Sequence, residues 1–330
     1  MFNQNNSMHH ILVVGGAGYV GGIIVDLLRD SKVINNIPGH VGTKITVYDN
    51  LLYEDSYRKD VDFVYGDIRD REKLLPLIKR SHSVIWLAAL VGDGACQINP
   101  DLTKEINADS VKWLSENYDG RIVFMSTCSV YGAQDKELDE TSPTNPLSAY
   151  ASSKLEAEEY LKDKNAITYR LGTLFGVGDQ FSRIRLDLVV NILTVKAHTT
   201  GKISVFGGEQ FRPLLHVKDV AQTVVDNLYS NATGVFNIHK QNVRIIDLAY
   251  QVRNHFPDLY IDHTDMPFQD TRNYRVSSEK AKQILKFNPS CSIDQGIEEV
   301  KYLVETKRIK DLDNKRYSNQ AYLNDINYGK

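Results

Sequence analysis

Apolar residues fall into short continuous runs separated by stretches at helical spacing. Residues 11–14 (Ile-Leu-Val-Val) form one such run, the pattern of a strand buried on both faces of a parallel sheet. A glycine-rich turn follows, and then Val20, Ile23, Ile24, Leu27 and Leu28 recur at the three-and-four spacing of a helix. Residues 31–43, rich in Gly, Asn and Pro, read as an enlarged loop before a second strand at 44–49. Asp62–Tyr65 predicts a third short strand and 83–89 a fourth. A helical pattern over 101–117 and a strand over 121–125 continue the alternation. Strands alternating with helices predict right-handed βαβ units, and so an α/β fold with a doubly wound parallel (Rossmann) sheet. Its binding crevice lies at the carboxyl ends of the strands. Beyond Thr173 the pattern is irregular, with short apolar pieces at 186–193 and 203–206. Helical spacing returns over 217–229, and 235–238 reads as another sheet strand.

Composition narrows this picture by exclusion. A chain of 330 residues implies one large or two unequal domains, and 42% hydrophobic with 25% charged residues is ordinary for a soluble globular protein. The net charge of −3 gives no electrostatic affinity for nucleic acid or an anionic membrane. No apolar run approaches the roughly 20 residues of a membrane span, and the polar first ten residues lack the apolar core of a signal peptide. Cys96, Cys128 and Cys291 are too few and too scattered for a disulfide framework or a zinc site, so the expectation is a cytoplasmic protein without a metal.

The candidate chemistry starts at the first turn. Gly15, Gly16, Gly18 and Gly21 lie between a strand and a helix, the arrangement of a dinucleotide-binding turn. Glycine is needed there because a β-carbon would hold the backbone N–H groups away from a pyrophosphate, which the helix N-terminus also attracts. Asp49 closes the second strand, where an acid accepts hydrogen bonds from the adenosine ribose hydroxyls and repels a 2′-phosphate. It favours NAD over NADP; the plainer reading is a turn-forming acid before Asn50. Its separation from the glycines exceeds the usual distance of about 20 residues, and the enlarged loop accounts for the excess. Asp67 and Ile68 could flank the adenine, and the small Ala88 and Ala89 would let the cofactor backbone approach closely. Further on, a strand runs into Ser126 and Thr127, and Tyr150 and Lys154 stand four apart on one helix face. There an ammonium ion, aided by an oxidised nicotinamide, would lower the phenol from a pKa of about 10 towards neutrality. Tyr150 would then act as base for a sugar hydroxyl, with Thr127 as its hydrogen-bonding partner. A second tyrosine–lysine pair, Tyr160 and Lys164, repeats the spacing without the hydroxyl-rich strand end and reads as surface.

These motifs together resemble the extended short-chain dehydrogenase/reductase family, specifically its nucleotide-sugar epimerases and dehydratases. The resemblance covers residues 10–300: GGAGYVG, the YDNL of 48–51, GDIRD, LAA, Asn107, STCSVYG, YASSK, RLGTLFG (170–176), FRPLLHVKDVA (211–221) and FNI (236–238). It implies that Thr127, Tyr150 and Lys154 form the catalytic triad. NAD would be held by Gly15, Gly18, Tyr19, Val20, Gly21, Asp49, Asn50, Asp67, Ile68, Leu87, Ala88, Ala89 and Asn107, with Tyr150 and Lys154 at the nicotinamide ribose. Arg212 and Arg272 match the arginines that grip the substrate diphosphate, and either could instead be a surface ion pair. His216 reads as packed or capping rather than as an acid or base.

Departures from the family pattern bear on the reaction. Its dehydratases carry Asp-Glu directly after the threonine, where this chain has Cys128 and Ser129, which argues against 4,6-dehydration. Cys128 is one place off the acid/base cysteine of the 3,5-epimerising enzymes and reads as a small buried residue. Thr173 replaces a common asparagine near the substrate, and Pro213 replaces an acid. Residues 91–96 and 183–191 resemble enzymes that oxidise C4 of GDP-linked manno-heptose in bacterial surface-polysaccharide pathways. The leading expectation is therefore an NAD-dependent 4-dehydrogenase of a nucleotide-diphosphate sugar, and the alternatives are a 4-epimerase or a non-catalytic dinucleotide-binding protein. The expected domains are a disordered tail (1–9), an NAD-binding unit (10–172 plus 217–238), a discontinuous α/β unit for the nucleotide sugar (173–216 plus 239–310) and a C-terminal tail (311–330), docked or disordered. A homodimer through the helices near 101–117 and 148–162 is implied by the resemblance alone.

Overall fold

The computed structural model describes residues 7–30, 40–264 and 273–329. In chain order, β1 (Ser7–Val14), β2 (His40–Asp49), β3 (Asp62–Tyr65), β4 (Ser83–Trp86) and β5 (Arg121–Thr127) come first. The two-residue β6 (Glu137–Leu138) precedes β7 (Ala166–Leu171), β8 (Thr173–Phe175), β9 (Lys202–Phe206) and β10 (Phe211–His216). Then come β11 (Gly234–Ile238), β12 (Gln241–Arg244), β13 (Tyr260–Thr264) and β14 (Arg275–Val276). Seven of these form one sheet in the order β11-β7-β5-β4-β1-β2-β3, every pairing parallel.

Successive β1 side chains point to opposite faces, so its uninterrupted apolar run serves two cores. Ile11 and Val13 pack on one side with α1 (Gly21–Asp30), and with Val220 and Val224 of a helix further along the chain. Leu12 and Val14 pack on the other side with Leu74 and Leu77 of α2 (Arg71–Arg80). Leu12, Val13 and Val14 are fully buried, each contributing about 1.5–3 kcal/mol.

The helical stretch predicted over 101–117 is interrupted. After α3 (Asp93–Cys96) and α4 (Pro100–Lys104), residues Glu105–Asp109 make a π-helical turn before α5 (Ser110–Asn117). α6 (Ala149–Leu161) packs beside them and joins the second core through Ala157 and Leu161.

The irregular region is ordered around a third core. α7 (Val189–Thr200) contributes Val190 and Leu193, β9 contributes Ile203 and Val205, and α9 (Ile245–His255) contributes Leu248 and Val252. α8 (Val217–Asn227) lies between these segments and packs back on the main sheet. α10 (Glu279–Leu285), α11 (Ile293–Glu305) and α12 (Asn319–Asp325) complete the described helices.

Some boundaries differ from the sequence expectation. β1 begins at Ser7, so residues 7–9 pair with β2 instead of belonging to a disordered tail; His9 is buried, its ring stacked on His82 at 4.5 Å. β2 correspondingly starts at His40, inside the stretch read as loop. β4 stops at Trp86, because the Leu87 and Ala88 amides both turn back to the Val14 carbonyl. Residues 315–325 of the C-terminal tail are folded, as a 3-10 turn (Lys315–Tyr317) and α12. Among the described residues no helix is long and apolar enough to cross a membrane.

Candidate active site

The carboxyl ends of β1, β2, β4 and β5 open onto a cavity of about 720 Å3 that continues across the third core. Gly15, at φ +86°, turns the chain out of β1, and a β-carbon there would lie 2.5 Å from the Ala88 nitrogen. A β-carbon on Gly21 would lie 2.5 Å from the Gly15 carbonyl oxygen, so the helix start can sit this close to the strand end only as glycine. Gly18, Tyr19 and Val20 line the cavity beside them. The Tyr19 hydroxyl donates to the Gly176 carbonyl at 2.7 Å.

Asp49 lines the same wall. Its carboxylate accepts from the amides of Ala17 (3.0 Å) and Leu51 (2.8 Å), tying the glycine turn to the end of β2. Burial raises its pKa, and those two bonds oppose the rise. Asn50, Asp67, Ile68, Leu87, Ala88 and Ala89 are on the wall too. Asn50 Nδ2 donates to Asp67 (3.2 Å), and Arg69 Nε donates to the other Asp67 oxygen at 2.8 Å. Burial pushes the Asp67 carboxyl up, but these donors outweigh it and hold the group ionised below its usual range. Glycine turn, half-buried acid and apolar slot follow one another in the order of a dinucleotide's pyrophosphate, ribose and adenine, so the residues present fit NAD.

Asn107 is placed differently from the expectation. It lies in the π-helical turn and does not line the cavity. Its side chain accepts from the Leu90 amide (2.8 Å) and donates to the Leu90 carbonyl (2.9 Å) and to Ser153 (3.2 Å), so it positions the loop after β4.

Thr127 ends β5, and Tyr150 and Lys154 face the cavity from α6, whose N-cap is Ser148. Thr127 Oγ1 accepts from the Ser129 amide at 3.1 Å, and its hydroxyl favours the ionised form of the Tyr150 phenol. Lys154 is 3% exposed, with Nζ 4.8 Å from the Phe124 ring centroid. The electrostatics of the protein alone run against the sequence expectation. Burial drives the Tyr150 phenol well above its ordinary value, with the Thr127 hydroxyl and the Arg185 charge opposing, while burial lowers Lys154 to about 8. Desolvation outweighs the short-range charges for both groups. Beneath them Glu158 is clamped by Arg170 (Nη2 to Oε2, 2.6 Å) and takes the Ser126 hydroxyl, fixing α6 against β5 and β7. Tyr160 is instead on the surface, bonded to Glu156.

Cys128 is fully buried with its thiol on the Arg170 carbonyl (3.2 Å), and burial raises its pKa. It does not line the cavity; Ser129 does, sharing a hydrogen bond with the Tyr274 hydroxyl at 3.2 Å. Thr173 and the buried Arg212 line the far part of the cavity with Ser204, Phe206 and Gln210, and Arg212 Nη1 donates to the Phe211 carbonyl. Arg272 lies outside the described residues. His216 caps α8, accepting from the Lys218 amide at Nδ1 and meeting Glu299 at 3.0 Å through Nε2.

The structure adds residues that the sequence reading did not assign to the site. Arg183 stacks over Tyr53 (4.0 Å) and Arg185 pairs with Asp187 at 2.6 and 3.0 Å, all on the cavity wall. Burial, and then the neighbouring Arg185, lower Arg183 to about 10. The segment was legible as unusual, but its charges alternate with apolar residues as they would on a surface. Asn319 and Tyr328 also reach the cavity from the C-terminal segment.

Comparisons with known proteins give the chain's relatives. The family model described as NAD dependent epimerase/dehydratase matches residues 11–238. UDP-glucose 4-epimerase of Halalkalibacterium halodurans is 29% identical over 84% of this chain and 90% of its own length. A putative UDP-glucose 4-epimerase of Methanocaldococcus jannaschii is 32% identical over 64% of this chain and 71% of its own length. The crystal structure of UDP-glucose 4-epimerase from Thermotoga maritima with UDP-glucose shares the fold, with a TM-score of 0.75 at 23% identity over 90% of this chain and 99% of that one.

Proposed function

We propose a function from one premise: the chain belongs to the NAD dependent epimerase/dehydratase family. Within that family we read it as a cytoplasmic nucleotide-sugar 4-epimerase. The observation that carries the reading is the Thr127, Tyr150 and Lys154 set on one cavity wall, followed by a buried Cys128 and a Ser129 hydroxyl rather than a pair of carboxylic acids. Such a wall can move a proton at one sugar hydroxyl, but positions 128 and 129 offer no carboxylate for eliminating water.

In this reading the glycine turn, Asp49 and the Asp67–Ile68 slot would hold the cofactor, and Arg212, on the same cavity wall, would bind the substrate diphosphate. NAD, when bound, supplies reversible acceptance of the hydrogen and electron pair from sugar C4. Tyr150 Oη takes the proton of the C4 hydroxyl and returns it at the end. The Thr127 hydroxyl orients that phenol and stabilises its ionised form, and Lys154 supplies the positive charge of the site. Inversion then requires the oxidised sugar to turn within the cavity before C4 is reduced on its other face.

A net 4-dehydrogenase of GDP-linked heptose uses the same groups, and the segments that suggested it, 91–96 and 183–191, both contribute to the cavity wall. The relatives' names favour the epimerase. Purified protein mixed with UDP-, GDP- and dTDP-sugars, GDP-heptose included, decides between them. A C4-inverted sugar without net NADH is expected. NADH formed in proportion to a 4-keto product would establish the dehydrogenase instead, and silence across all the sugars would overturn both.

A further inference from the structure

The C-terminal segment belongs to neither the glycine turn nor the triad, yet it is wired to the loops that surround the cavity. α12 is anchored by Leu323, which is 1% exposed and packed in the second core. Around that anchor its polar groups bind three separate loops. Arg316 Nε donates to the Tyr53 carbonyl (2.7 Å) and its guanidinium pairs with Asp55 (2.6 Å), both just beyond the Asp49 that faces the ribose position. Asn319 Nδ2 donates to the Val91 carbonyl (2.8 Å) in the loop after β4. The Asn319 amide donates to Asp187 (2.9 Å), and Arg183 donates to both the Arg316 carbonyl (2.9 Å) and the Asn319 side chain. One residue, Asn319, therefore joins the cofactor side of the cavity to the arginine-rich loop on its other side.

Tyr328, further along the segment, lines the same cavity as Asn319. Asn99 Nδ2 holds the Gly329 carbonyl at 2.6 Å, which places Tyr328 on the wall with Ile68 and Ile106. Tyr328 is half-buried against the core that contains those two residues, and its phenol feels the charges of Asp67 and Arg69. An aromatic ring and the apolar Ile68 on one cavity wall suit a flat heteroaromatic base.

We propose that Tyr328 and Asn319 complete the dinucleotide site: Tyr328 covers the adenine, and Asn319 latches the C-terminal segment across the cofactor. The inference rests on the NAD reading of the cavity. It follows that the adenosine half cannot leave until the segment lifts and at least the Val91 and Asp187 bonds to Asn319 break. Retention suits a reaction in which the electron pair removed from the sugar is returned to it, because the cofactor ends each cycle in its starting oxidation state and has no need to exchange.

The test measures cofactor residence directly. Wild type, Tyr328→Ala, Tyr328→Phe and Asn319→Ala are loaded with NADH, and its release is followed by nucleotide fluorescence on dilution into excess NAD. Thermal melts check that each variant is folded. Stacking on an aromatic ring predicts release about tenfold faster in Tyr328→Ala, with Tyr328→Phe close to wild type. Asn319→Ala, which removes the Val91 and Arg183 bonds of that side chain, is expected to release NADH several-fold faster. Folded variants with release within twofold of wild type would overturn the clasp. Failure of the wild type itself to bind NADH would instead bring down the cofactor reading on which the clasp depends.

Discussion

Tyr150 shows why residue spacing alone does not fix a pKa. Four residues put Lys154 on the same helix face, but Lys154 is buried and Tyr150 partly so, and desolvation raises the phenol and lowers the ammonium. The protein brings the partners together, and the positive charge of an oxidised nicotinamide remains the contribution that would favour the phenolate. Glu54 gives a measurable consequence of the same physics. It lines the cavity and accepts from the Arg183 amide at 2.7 Å, yet burial raises its pKa from an ordinary 4.5 to about 7. The native state therefore holds a proton that the unfolded chain has released between those values, and stability falls as pH rises from about 4.5 to 7. Glu54→Gln should leave stability near pH 4.5 unchanged and raise it at pH 8. With the partial exposure of the side chain taken into account, the gain is about 1–2 kcal/mol. Denaturant titrations at the two pH values read this out, and equal effects at both would refute it.

At the scale of elements, the parallel sheet was legible because strands buried on both faces must be continuous apolar runs, as Ile11–Val14 and Ile122–Met125 are. The ends of the same strands were not. Ser7–His9 and residues 40–43 pair through their backbones without an apolar signature, and β4 stops short because two amides share the Val14 carbonyl. The π-helical turn at Glu105–Asp109 was hidden for a related reason. Its insertion keeps apolar residues at near-helical spacing while it directs Asn107 onto the Leu90 backbone. Asn107 thus acts on the cavity at one remove, by holding the loop that carries Leu87, Ala88 and Ala89. In Asn107→Ala the buried Leu90 amide loses its acceptor, at a cost of about 2 kcal/mol. Urea unfolding should show that loss together with weaker NAD binding. Unchanged stability with weakened binding would indicate direct contact with the cofactor instead.

At the scale of the whole molecule, residues far apart in the chain share one cavity: Gly15 and Asp49 near its start, Tyr150 and Arg185 in the middle, Asn319 and Tyr328 at the end. The motifs near the start could be read because a glycine turn and a strand-end acid have fixed meanings in this fold. The later contributions could not, since Arg183, Arg185 and Asn319 gain their roles only from long-range contacts between loops. In the function proposed above, this cavity removes a hydrogen from C4 of a nucleotide sugar and restores it to the same molecule. The most direct measurement is turnover of a nucleotide sugar carrying deuterium at C4. A C4-inverted product that retains the deuterium at C4, with no NADH accumulating, is expected. Deuterium found in released NADH, in proportion to a 4-keto sugar, would contradict it.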